Sequence, residues 1–333
     1  MKAAYIENTG PAEATIQYAD VPKPEAAGTQ VLVKVGAVSV NPIDTYLRSG
    51  ANYWPLPKPF IIGCDLAGTV EAVGPQARRY KVGDRVWGSN QGLLGRQGTF
   101  AEYCAPEEQW LYPTPANVMD EQAAACALVG ITAHLGLFRH AQLQAGETVF
   151  VNGGTGGVGS LVVQMAKAAG AKVVATAGSP EKVAALRQLG ADVALNYKSD
   201  DIAAAVKEFA PEGVNVYWET VREPDFDKIV SYLGERGRMV LMAGRDARPA
   251  FPVGPFYVKG CSLHGFVIFK ATPGEQRAAA DDISRWLAQG KLKANISRVL
   301  PLSEAAAAHQ LQEDNTLRKA GTLAGKIVLK PQP

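Results

Sequence analysis

Thr148-Val149-Phe150-Val151-Asn152 runs directly into Gly153-Gly154-Thr155-Gly156-Gly157-Val158-Gly159, and an apolar stretch over 160–169 follows. The first segment is β-branched and aromatic, and short enough for a buried strand. The glycines allow a tight turn, and the third segment has the length and apolar content of a helix. Strand, turn and helix are therefore predicted in direct succession. Working outward, similar short apolar runs occupy 172–177, 193–197, 214–220 and 238–243. Helical stretches separate them, most clearly over 179–189. There Ser179 can cap, Pro180 takes the first helical position, Val183, Leu186 and Leu189 share a face, and Gly190 ends the run. Such alternation predicts an α/β domain over 126–269 built on a doubly wound parallel sheet, the Rossmann arrangement.

Gly154-Thr155-Gly156-Gly157-Val158-Gly159 fits the pattern G-x-G-x-x-G. Placed between a strand and a helix, it predicts a dinucleotide pyrophosphate drawn to a helix N-terminus, with small residues letting the backbone approach. An NAD site usually sets Asp or Glu about 20 residues further on, against the ribose hydroxyls. Here that position reads Thr176-Ala177-Gly178-Ser179. No carboxylate opposes a 2′-phosphate. Lys182 falls in the first turn of the next helix, where a cation is unfavourable unless an anion binds beside it. Ser179 either serves the same phosphate or simply caps the helix. The expected cofactor is NADPH rather than NADH.

Residues 1–125 differ: they are rich in Gly and Pro, with short β-prone runs such as Val31-Leu32-Val33-Lys34-Val35. Many short strands broken by turns predict a compact β-rich domain. After about 270 the chain returns to a helix, 276–289, and a final strand, 325–329. That tail is expected to pack on the first domain, so that 1–125 and 270–333 form one discontinuous unit. A length of 333 residues suits two domains of roughly 150 residues. With a net charge of +2 and no basic run, nucleic acid is not an expected partner. Charge and Gly10 come too early for a signal peptide, and no run of about 18 uncharged apolar residues suggests a membrane span. The expected location is cytoplasmic. Cys64, Cys104, Cys126 and Cys261 form no C-x-x-C pair, and the four histidines show no i, i+4 pairing.

Asn41-Pro42-Ile43-Asp44-Thr45-Tyr46-Leu47-Arg48-Ser49-Gly50 resembles a signature near the active site of quinone oxidoreductases, the zeta-crystallin-like, zinc-independent branch of the medium-chain dehydrogenases/reductases. Val82-Gly83-Asp84-Arg85-Val86, Gly98-Thr99-Phe100-Ala101-Glu102-Tyr103 and the 153–159 loop match the same branch in order. The resemblance implies a GroES-like β-rich catalytic domain, a Rossmann cofactor domain and a cleft between them. It implies 2′-phosphate contacts at Ser179, Lys182 and Tyr197, and Thr132 near the cofactor phosphates. Ala243, Gly244, Phe266 and Val267 would line the nicotinamide. Arg318, Lys319 or Lys326 would add a basic contact near the C-terminus, with Arg318 carried forward. Three zinc-ligand positions of the zinc-dependent relatives read Asn41, Cys64 and Leu128, and 88–98 lacks the cysteines of their structural zinc lobe. Leucine cannot ligate and one thiolate is too few for a catalytic zinc, so no metal is expected.

Without a Lewis acid to stabilise an alkoxide, a quinone is the better hydride acceptor, because its conjugated ring spreads the charge. Asn41 is expected to orient cofactor or substrate, and Tyr46 to line the pocket or donate to a quinone oxygen. For Asp44 a structural hydrogen bond is set against acid chemistry. Tyr53 and Trp54 are read as an aromatic wall. Two alternatives stand beside quinone reduction: NADPH-dependent reduction of a C=C bond in an enone or enoyl thioester, and a non-enzymatic NADPH- or RNA-binding protein. The segment from Cys261 to Ile268 reads as the last Rossmann strand, and the resemblance implies that it pairs with its copy in a homodimer.

Overall fold

The computed structural model describes every residue except Asn52, Tyr53, Lys319, Gln332 and Pro333. The chain forms two compact units, Met1–Ile131 with Ala271–Pro333, and Thr132–Lys270.

The unit Thr132–Lys270 carries six strands: β1 (Thr148–Asn152), β2 (Lys172–Ala177), β3 (Val193–Asn196), β4 (Val214–Glu219), β5 (Leu233–Leu241) and β6 (Ser262–Gly265). Every pairing is parallel, in the order β3-β2-β1-β4-β5-β6. Strand order reverses between β1 and β4, and in open sheets of this kind ligands bind beyond the strand C-termini at that point. Buried Phe150 stacks on Tyr217 with ring centroids 4.8 Å apart, and Val174, Ile229, Leu233 and Met239 complete one face of the core. Helix Pro180–Gln188 starts where Ser179 and Pro180 predict. β5 begins five residues before its apolar run: Leu233 already pairs with Val214, a register shift follows, and Arg236 adopts φ 56°. Two glycines, Gly234 and Gly237, hide that irregular start from a hydrophobicity pattern.

In the other unit, antiparallel strands Val31–Val40, Asp65–Val73, Arg85–Gly88 and Leu111–Pro113 follow one another across a sheet. The C-terminal strand Lys326–Lys330 joins it antiparallel to Val31–Val40, with Ile327 opposite Val40. That register sets Lys326 beside Asn41. Ile296–Pro301 pairs parallel with Lys326–Lys330 at the edge. The sequence did not reveal this strand, because an edge position lets Ser297 and Arg298 replace apolar residues and Pro301 close it. Helix Pro273–Ala288 is set by a capping box between Thr272 and Glu275. The helical run Asp120–His140 is apolar and long enough to cross a membrane by composition, but 78% of its most apolar window is buried inside the protein.

Candidate active site

The glycine loop leaves β1 at its C-terminal end. Gly153 takes φ 82°, and a Cβ there would lie 2.3 Å from Thr220 Oγ1. A Cβ on Gly154 would lie 2.7 Å from Leu186 Cδ2, and one on Gly159 2.3 Å from the Gly153 carbonyl. Backbone demands glycine at Gly153, by its positive φ, and at Gly159, by the carbonyl, whereas at Gly154 the flexible end of Leu186 would have to move. Gly156 is different. It is exposed, caps helix Gly157–Ala168, and a Cβ there would meet nothing nearer than 3.6 Å. The first bond inside that helix is from Ser160 N–H to Gly156 O, at 2.9 Å. The N–H groups of the first turn before it lack intrahelical partners. A diphosphate suits this cradle: small residues stand at a helix N-terminus whose first-turn N–H groups carry partial positive charge.

At the end of β2 the backbone passes Ala177 and Gly178 without a carboxylate. A Cβ on Gly178 would stand 2.5 Å from the Tyr197 hydroxyl, so the phenol lies against the glycine. Ser179 Oγ accepts the Lys182 N–H at 3.4 Å as a helix cap, and its hydroxyl also hydrogen-bonds the Glu181 carboxylate. Gly178, Ser179, Lys182 and Tyr197 are thus brought together on one rim. Elsewhere in this unit, Thr132 is buried on a helix, and Gly244 takes φ 82° with its face 2.1 Å from the Arg222 carbonyl, measured to an added Cβ. Ala243 and Val267 are exposed, and Phe266 stacks on His140 at 4.5 Å.

In the other unit the segment 41–50 forms helix Pro42–Ser49. Asn41, Asp44 and Arg48 point inward, and Tyr46 is half-buried. Asn41 has no exposed surface. Its Oδ1 accepts the Lys326 ammonium at 2.5 Å, and its Nδ2 donates to Asp65 Oδ2 at 2.8 Å. Asp65 also accepts from Ser39 Oγ, Ser89 Oγ and the Leu128 N–H, at 2.8, 2.7 and 3.1 Å. Asp44 Oδ2 accepts the Asn41 N–H at 2.8 Å, while Oδ1 has no hydrogen-bond partner. Burial pushes the Asp44 carboxyl up to about 7, against the pull of the neighbouring Cys64 thiol and Asn41 N–H. Burial also raises Asp65 and lowers Lys326, each opposed by the other's charge.

These contacts correct several expectations. The Asn41 amide is spent inside the protein, so it holds rather than touches. Of the two readings of Asp44, the Asn41 N–H contact agrees with the structural hydrogen bond. Lys326 is excluded as a phosphate contact, because its ammonium is buried on Val40 O and Asn41 Oδ1. Arg318 is exposed and pairs with Asp314 at 2.8 Å, one helical turn back. Lys319 and Tyr53 lie outside the described residues, so of the aromatic wall only half-buried Trp54 is placed. The positions Asn41, Cys64 and Leu128 do come together, around Asp65. Among the described residues no group of three or more His, Cys, Asp or Glu side chains is placed to hold a metal.

A GroES-like β-rich unit and a six-stranded Rossmann unit with an open diphosphate cradle define a medium-chain dehydrogenase/reductase. Family models agree: residues 27–116 match the alcohol dehydrogenase GroES-like domain and 157–285 the zinc-binding dehydrogenase domain. The human quinone oxidoreductase is 32% identical over 330 residues, spanning 99% of this chain and 97% of that protein. A chloroplastic NADPH-dependent alkenal/one oxidoreductase of Arabidopsis thaliana is 33% identical over 341 residues, spanning 100% of this chain and 80% of that protein. Among solved structures, mycobacterial Rv1454c complexed with NADPH superposes with a TM-score of 0.84 at 31% identity, covering 99% of this chain and 100% of that one. The chain belongs to the quinone oxidoreductase family of medium-chain dehydrogenases/reductases, and it is an oxidoreductase.

Proposed function

We propose that the protein is an NADPH-dependent reductase of quinones that works without a metal. The carrying observation is the rim of Gly178, Ser179, Lys182 and Tyr197 at the end of β2. The strand ends there without the carboxylate that would hold the ribose hydroxyls of NAD, the nearest acid being Glu181 in the first turn of the next helix. When bound, NADPH supplies a hydride from its nicotinamide C4. Gly154, Thr155, Gly156, Gly157 and Val158 hold the diphosphate, with Thr132 beside it. Ala243, Gly244, Phe266 and Val267 line the nicotinamide, and Arg318 is the C-terminal basic residue assigned to the cofactor, exchanging its exposed pair with Asp314 for it. On the catalytic unit, Asn41 and Asp44 fix the start of helix Pro42–Ser49, and Tyr46 is the side chain of that helix that meets substrate. The metal-free reading rests on residue type: the family model bears a zinc-binding name, but Asn41, Cys64 and Leu128 offer a single thiolate.

The alkenal/one oxidoreductase relative favours a second reading, reduction of a conjugated C=C bond. That reaction needs the same hydride plus a proton at the α-carbon, for which Tyr46 is the candidate donor. Following NADPH oxidation with a quinone, an enone and an enoyl thioester separates them. Turnover of the quinone alone supports the first reading, and turnover of the enone alone replaces it. We place the protein in the cytoplasm as a homodimer paired through β6, whose Leu263 is 42% exposed at the sheet edge. A monomer by light scattering at micromolar concentration would rule out the dimer.

A further inference from the structure

Beneath the glycine loop, a line of side chains crosses three neighbouring strands. Glu219 closes β4 with only 2% of its surface exposed. Asn152 Nδ2 donates to both of its carboxylate oxygens at 3.0 Å, and the Val221 N–H donates to Oε1 at 2.6 Å. Asn152 closes β1, and its Oδ1 accepts the Thr176 hydroxyl at 2.9 Å. Thr176 sits on β2, and its Oγ1 accepts the Gly153 N–H at 3.2 Å while its carbonyl accepts the Gly154 N–H at 2.9 Å. From the β4 side, Thr220 Oγ1 donates to the Asn152 carbonyl at 2.6 Å and fills the space over Gly153.

Every hydrogen along this line has one direction, and the carboxylate sets it. An ionised carboxylate only accepts. Asn152 must therefore turn its NH2 toward Glu219 and its carbonyl toward Thr176. Thr176 must then donate to Asn152, which leaves its lone pairs for the Gly153 N–H. The ordering starts at Glu219 and ends in the backbone of the cofactor loop. Packing alone does not require this: an apolar residue in place of Glu219 would fill the sheet without a buried charge to desolvate. Burial does raise the Glu219 carboxyl, and the Val221 and Asn152 N–H groups hold it back.

We propose that Glu219 is a positioning residue for the dinucleotide, orienting the Gly153–Gly154 turn through Asn152 and Thr176. This rests on the reading that the loop binds NADPH. It predicts an effect shared by NADPH and NADH, because both carry the diphosphate and only one carries the 2′-phosphate.

The test is fluorescence titration of both cofactors, with thermal melts, on wild type, Glu219→Gln, Thr176→Val, the double variant and Thr176→Ser. Gln keeps the shape but can face Asn152 either way round. Val keeps the shape and removes the hydroxyl. Each is expected to weaken NADPH and NADH alike by about 5- to 20-fold, the scale of one buried hydrogen bond. Because the two act in one line, the double variant should stay within about twofold of the worse single variant. Thr176→Ser, which keeps the hydroxyl, should bind as wild type does. Lower melting temperatures with unchanged affinities would overturn the proposal and leave Glu219 as support for the sheet. Loss confined to NADPH, or losses that multiply in the double variant, would overturn it too. If Glu219→Gln does not fold, Thr176→Val against Thr176→Ser decides. A wild type that binds neither cofactor would instead overturn the NADPH reading itself, and the proposal with it.

Discussion

The two units treat charge in opposite ways. The catalytic unit buries Asp44, Arg48, Asp65 and Lys326, and it links anion to cation through a neutral amide, Lys326 to Asn41 to Asp65. In the cofactor unit Glu219 is the only buried Asp, Glu, Lys or Arg among the described residues, and Lys182 stands at the rim. Charges that neutralise one another inside a domain are lost to ligands, but they fix its geometry. Charges kept at a rim contribute little to the fold and much to an ion that binds there. The catalytic unit buries cations in its interior, and the cofactor unit carries Lys182 at the rim where the proposed phosphate would bind.

The sharpest way to break this contrast is to remove Lys326. Lys326→Met keeps the aliphatic stem and deletes the ammonium. It leaves the Asn41 Oδ1 without its donor and Asp65 without its balancing charge, with four donors still aimed at that carboxylate. Breaking a buried pair on one side costs about 3–5 kcal/mol, and denaturant melts should show a loss of that size. A melt matching wild type would mean that the cluster does not hold the unit together.

Removing Lys182 should do the reverse, sparing the fold and harming the ligand. A charge-assisted bond to a 2′-phosphate contributes roughly 1.5–3 kcal/mol. Lys182→Ala should therefore weaken NADPH binding by roughly 10- to 100-fold, toward the lower end because Ser179 and Tyr197 remain. NADH affinity should change by less than about threefold, since it presents no phosphate to that cation. Titration of both cofactors checks this, and equal losses would assign Lys182 to the fold.

The same contrast explains what the sequence reveals. The Rossmann unit is legible because each strand is one contiguous apolar run and its ligand loop is one contiguous motif. Ser179 and Lys182 are read from their position along that alternation, while Tyr197 enters only through the family resemblance. The line from Glu219 to Gly153 is not legible, because Asn152 lies 24 residues from Thr176 and 67 from Glu219. Only the parallel register unites them. Lys326 misleads for a similar reason. Beside Gly325 and ahead of Ile327 it looks like a surface cation at a strand end, and its burial follows from pairing with a strand 286 residues away. No local pattern carries that information.

The smallest expected effect sharpens the comparison most, because it reads the protonation of the buried cluster directly. Burial raises the Asp44 carboxyl from 3.8 to about 7, and the nearby Asp65 charge pushes the same way. A carboxyl raised on folding binds its proton in the native state at pH values where the unfolded chain has released it. Its contribution is full below the unfolded value and is lost as pH rises through about 7. Asp44→Asn stays neutral throughout and retains an oxygen to accept the Asn41 N–H. The stability difference between wild type and Asp44→Asn should therefore shift against wild type by roughly 1 kcal/mol between pH 6 and 8. Taking the difference cancels titrating groups remote from the site, Glu219 and His264 among them. Parallel stability curves across that range would mean that Asp44 does not change charge there. Asp44 would then keep one protonation state from pH 6 to 8, and its burial beside Asp65 would not place its titration in that window.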